Sequence, residues 1–77
     1  MKPPQLDLHG IRHEEVAGVL HKFIWKNWAY KDALLIITGH SGIMKKIVKD
    51  HLKVYAIRRI EDNVPGNWGI IKVWLDN

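Results

Sequence analysis

The chain has no cysteine. That excludes disulfide frameworks and thiolate metal sites and fits a reducing compartment, so a cytoplasmic protein is expected. Long hydrophobic runs are missing too. The longest, Ala33-Leu34-Leu35-Ile36-Ile37, is far too short to cross a bilayer, and the opening Met1-Lys2-Pro3-Pro4 lacks the apolar stretch of a signal peptide. No repeat, linker or low-complexity tract divides the 77 residues, which leaves room for one domain, 1–77, with one modest core. Acid is scarce: 8 Asp+Glu stand against 12 Lys+Arg, a net charge of +4. Such a balance favours a polyanionic partner without establishing one.

What is present is a clear alternation of patterns. Pro3-Pro4 holds the start extended, after which Leu6 and Leu8 alternate with Asp7 and His9 as in a short half-buried strand that stops at Gly10. From Ile11 the period changes. Val16, Ala17, Val19, Leu20, Phe23 and Ile24 recur at three- and four-residue steps and predict a helix, with Glu14 and Glu15 leading and Lys22 and Lys26 trailing, as the helix dipole favours. Ala33 to Ile37 is apolar throughout and reads as a central strand. Ser41 is a suitable N-cap for a second helix whose apolar face carries Met44, Ile47, Val48, His51 and Leu52, with Lys45, Lys46, Lys49 and Lys53 opposite. Residues 56–60 read as a third strand and Val64 to Asn67 as a turn. In a fourth strand from Gly69 to Leu75, Ile71, Val73 and Leu75 point one way, Lys72 and Trp74 the other.

The order βαβαββ predicts an α/β two-layer sandwich: a four-stranded mixed sheet with both helices on one face. Right-handed crossovers make the first three strands parallel, and the short last turn makes the final pair antiparallel. The first two strands then end on one edge. Asp7 and His9 should approach Thr38-Gly39-His40 across about one strand spacing, roughly 5 Å. The free amides at the start of the second helix, with Gly39 and Gly42, would add an anion pocket to the same cluster. His9 and His40 are suited to moving protons near neutral pH, and Asp7 to orienting an imidazole. Cleavage of RNA through its own 2′-hydroxyl needs only such acid-base groups and oxyanion stabilisation, so that route calls for no metal or other cofactor, whereas metal-assisted hydrolysis would need further ligands.

Leu6-Asp7-Leu8-His9-Gly10 resembles the leading LDLHG motif of the Smr (small MutS-related) domain. Thr38-Gly39 falls where that family has HGxG or TGxG, and the stretch from Asn67 through Gly69 to Val73 resembles its closing glycine-then-strand segment. Order and spacing agree over almost the whole chain. The resemblance implies a fold similar to the C-terminal domain of translation initiation factor three. It also implies nucleic-acid binding, DNA or RNA, with nicking or RNA-cleaving endonuclease activity in the service of DNA repair or RNA processing. By position it points to Asp7 and His9, with His40, as catalytic residues. Gly10, Thr38, Gly39, Ser41 and Gly42, together with Lys45, Lys46 and Lys49 of the basic helix stripe, are the expected substrate-binding set. One departure stands out: Thr38 occupies the place of the family's histidine, and Ser41 that of its second glycine, as in short, stand-alone TGxS variants.

The bland reading of each feature stays beside the functional one. Asp7 and His9 could simply close a strand end, His40 could be a solvated loop residue, and the lysine stripe a solvated helix face. His51 fits a boundary position, and His13 and His21 the surface. Arg58 and Arg59 should alternate faces. Of the four tryptophans, Trp25 lies opposite the apolar stripe, Trp28 and Trp68 suit the core edges, and Trp74 marks an open sheet face suited to a homodimer. Three functions remain open: an endonuclease, a non-catalytic nucleic-acid or ribosome-binding module, and a protein-interaction or regulatory module using the open sheet face.

Overall fold

A computed structural model describes residues 2–62, 66 and 68–77. The strands are β1 (Gln5–Asp7), β2 (Leu34–Ile37), β3 (Ile57–Glu61) and β4 (Ile70–Leu75). The helices are α1 (Val16–Lys26), preceded by a 3-10 turn at His13–Glu15, and α2 (Gly42–Leu52). The expected βαβαββ order is therefore present; β2, β3 and β4 have ends within one residue of the predicted ones, whereas β1 stops at Asp7, two residues short of the expected end at His9. Most of the predicted turn from Val64 to Asn67 lies outside the described residues; Gly66 in it has φ +78°.

The strands lie in the order β1-β2-β4-β3. β1 pairs with β2 in parallel, and β4 is antiparallel to both β2 and β3. The first three strands thus run the same way, as expected, but β4 is inserted between β2 and β3. Insertion places β2 inside the sheet, which its unbroken apolar run had suggested, and gives β4 a neighbour on each side.

Strand parity separates two faces. Leu34 and Ile36 of β2 pair with Val73 and Ile71 of β4, and all four are buried. Val16, Leu20 and Ile24 of α1 and Met44, Val48 and Leu52 of α2 join them in one core, so both helices cover the same face. Full burial of each such side chain contributes about 1.5–3 kcal/mol, and truncating Leu20 to alanine should cost about 2–5 kcal/mol. Ser41 caps α2 as predicted, its Oγ accepting the Met44 amide at 3.2 Å. Ala17, expected on the apolar stripe, is exposed at its margin.

The helix-free face carries Gln5 and Asp7 of β1, Leu35 and Ile37 of β2, and Ile70, Lys72 and Trp74 of β4. Two expectations need correction here. Arg58 and Arg59 do not simply alternate, because a register shift between Ile57 and Arg59 leaves Arg58 as the extra residue while Arg59 pairs with Trp74. Trp68 does not close a core edge: it is 54% exposed, since the chain around it is a turn ahead of β4 and not a packed strand. Trp28 does pack against the core, and Trp25 is exposed as expected.

Candidate functional site

The LDLHG segment is shaped by its own side chains. Asp7 Oδ1 accepts the backbone N–H of His9 at 2.9 Å, closing a local turn that ends β1. Gly10 then takes φ +75°, a left-handed conformation that glycine adopts without steric cost. Between them Leu8 is buried, its amide bonded to the Ile37 carbonyl at 2.9 Å, which ties the tip of β1 to the tip of β2.

The same Asp7 oxygen lies 2.9 Å from His9 Nδ1. The His9 backbone N–H, and after it the His9 ring, hold the Asp7 carboxyl below its ordinary pKa. With Nδ1–H donated to the carboxylate, a neutral ring presents Nε2 as a free acceptor. That edge lies against Gly39, where a Cβ would come within 3.2 Å of Nε2. Gly39 has φ +70°.

The β2 tip is held by the residue before β4. Both Thr38 N and Gly39 N donate to the Gly69 carbonyl, at 2.8 and 3.1 Å, and a Cβ on Gly69 would sit 3.2 Å from the Gly39 Cα. Thr38 is buried, and its hydroxyl points to the carbonyls of Gly39 and Gly69, at 2.9 and 3.2 Å. His9, Ile37, Gly39, His40, Gly69 and Ile70 line a cavity of about 390 Å³. Ile37 and Ile70 are sheet partners on the helix-free face, so the cavity opens on that face at the sheet edge.

The comparisons with known proteins fit this geometry. The Smr domain family matches residues 6–76, nearly the whole chain. The chain belongs to the Smr domain family. No curated protein and no solved structure matches it. Smr domains are known for nucleic-acid binding and nicking. In this Smr domain the two family-like segments meet at one edge, with His9 against Gly39, and Gly69 of the closing segment packs against Gly39 as well.

The expected single pocket, however, divides in two. Ser41 is occupied as a cap, and Gly42 lines a separate depression of about 400 Å³ with Lys45, Lys46, Lys49 and Asp62. The cause is strand parity: Asp7 and His9 belong to the helix-free side, whereas α2 lies in the helix layer. The lysine stripe divides as well. Lys45, 14% exposed, lies 3.2 Å from Asp62 and donates to the Trp68 carbonyl, and Lys49 lies 2.5 Å from Asp62. Lys46 and Lys53 are exposed and flank Asp50, whose pKa they lower.

Gly10 shapes the turn without lining either depression. Sequence reasoning did not single out Asp62, Ile37 or Ile70. Parity along β2 and β4 could have placed the two isoleucines, while no helical period points to Asp62. Gly69 was visible only through its family-like segment. Among the described residues, no three His, Cys, Asp or Glu side chains gather as a metal's ligand set would, and no helix is long and apolar enough to cross a membrane.

Proposed function

We propose that this Smr domain binds nucleic acid at the His9–His40 cavity and cleaves a phosphodiester there, in the cytoplasm of its cell. The observation that carries the reading is the 2.9 Å contact from Asp7 Oδ1 to His9 Nδ1, which leaves Nε2 as the proton acceptor at the cavity wall. On RNA, the His9 Nε2 would take the proton of the 2′-hydroxyl while that oxygen attacks phosphorus. His40, in its protonated form, would deliver a proton to the departing 5′-oxygen. Asp7 would act through His9, fixing the tautomer and stabilising the imidazolium that forms.

A non-catalytic binding module is the second reading, and one observation favours it. At the place of the family's histidine stands Thr38, buried and with its hydroxyl committed to backbone carbonyls. The test is incubation of the wild type and His9→Ala with labelled single- and double-stranded DNA and RNA, with and without chelator. Cleavage that His9→Ala removes, while binding persists, supports the enzyme. Binding by the wild type with no cleavage of any substrate supports the module instead.

A further inference from the structure

A second depression lies farther along the same helix-free face. In register, Ile37 pairs with Ile70 at the cavity, and Leu35 pairs with Lys72 next along the same strands. Leu35 and Lys72 also line a depression of about 310 Å³, together with Tyr30, Asp32 and Trp74. Arg59, the cross-strand partner of Trp74, sets its guanidinium over the indole, 5.0 Å from the ring centroid. From Ile70 to Trp74 is four residues of extended chain, about 14 Å.

We propose that this second depression is a subsite for an unpaired nucleotide flanking the one held at His9, so that the substrate is single-stranded or frayed. The inference rests on the nucleic-acid reading of the cavity. Trp74, Tyr30 and the plane of the Arg59 guanidinium offer stacking surfaces for a base, and such stacking requires a base face that a duplex keeps covered. Lys72 lines the second depression on the side nearer the cavity, where the phosphate joining the two nucleotides would pass. The acids nearby are engaged. Glu61 lies 2.8 Å from Arg59, Asp32 accepts the Ala33 amide at 2.8 Å, and Asp7 is held by His9. A strand laid along β4 would therefore meet an imidazole at one end, an ammonium in the middle and an aromatic platform at the other.

The test measures binding of short fluorescent oligothymidylate and oligouridylate, and of a blunt duplex, to the wild type, Trp74→Ala, Trp74→Phe and Lys72→Ala, with circular dichroism to verify folding. Trp74→Ala should weaken single-strand binding about tenfold. Trp74→Phe should restore most of it, Lys72→Ala should reduce the salt dependence by about one phosphate contact, and duplex binding should change little. Folded Trp74→Ala and Lys72→Ala proteins that bind single strands as the wild type does would overturn the subsite and leave the nucleic-acid reading standing. If Trp74→Ala does not fold, the Lys72→Ala result decides alone. A wild type that binds no nucleic acid would overturn both. A wild-type dimer in light scattering that Trp74→Ala dissociates, with single-strand affinity unchanged, would assign the face to a second copy and overturn the subsite.

Discussion

Asp7 holds His9 twice through one oxygen: its Oδ1 accepts the backbone N–H and meets ring Nδ1, both at 2.9 Å. The two bonds have different consequences. The backbone bond shapes the end of β1 and survives any substitution at residue 9 other than proline. The ring bond alone sets the imidazole's orientation, and it exists only while residue 9 is histidine.

Asp7→Asn should therefore separate orientation from fold. The amide oxygen can still accept the backbone N–H, so stability should change little at this exposed site. Only a carboxylate both selects the Nδ1–H tautomer and stabilises the imidazolium. If the domain cleaves, activity should fall by about 10²-fold or more, with binding of uncleaved substrate nearly unchanged. Single-turnover cleavage beside equilibrium binding measures the two separately.

The lowered pKa of Asp7 carries a pH dependence of definite sign. Its folded value lies below the unfolded value of about 3.9. The stabilisation is therefore fully present above the unfolded value and is lost as pH falls through the folded one. Across the neutral range Asp7 stays ionised, and its contact to His9 persists. Carboxyl carbon NMR should give a midpoint below the ordinary value. His9→Ala should raise that midpoint only part of the way, because the backbone bond is the larger cause and remains.

Gly10 and Gly39 make a paired experiment. Both have positive φ, +75° and +70°, so alanine at either is strained by about 1–2 kcal/mol. At Gly10 a Cβ meets nothing within 4 Å, whereas at Gly39 it meets His9 Nε2 at 3.2 Å. Both variants should lose several degrees of Tm. Gly39→Ala alone should also displace the imidazole, visible as a shift of the His9 ring resonances and as lost cleavage if the domain is an enzyme. Equal resonances in the two variants would deny the close approach of the two motif segments.

Much of this arrangement could be read before the fold was known, and what could not has definite causes. The LDLHG strand, the Ser41 cap and the helix faces follow from local periodicity and chain stereochemistry. The meeting of His9 with Gly39 follows from two parallel strands ending together. The insertion of β4 between β2 and β3 depends on non-local pairing that no period encodes. The division of the expected pocket is a matter of parity: His9 follows the helix-free face of β1, while Gly42 starts a helix on the other layer. The bulge at Arg58 defeats alternation in β3. Lysines of one helix look alike in sequence, and only the return of the chain at Asp62 distinguishes those tied to it from those left in solvent.

That last distinction is measurable. Lys45 is mostly covered, lies 3.2 Å from Asp62 and donates to the Trp68 carbonyl, so it joins α2 to the end of β3 and to the residues just ahead of β4. Lys46 is exposed and lies 3.3 Å from Asp50 one helical turn away, an arrangement that contributes a few tenths of a kcal/mol at most. Lys45→Ala should lower stability by about 1–2 kcal/mol, less than for a fully buried pair because Lys49 still faces Asp62. Lys46→Ala should leave Tm nearly unchanged. If α2 contacts phosphates, the order reverses in binding: Lys46→Ala should reduce the slope of log affinity against log salt by about one, and Lys45→Ala should alter it less. Thermal melts and salt titrations of the two proteins suffice. A Tm loss of the same size for both would mean that Asp62 does not anchor Lys45, and equal salt slopes would mean that the helix face meets no phosphate.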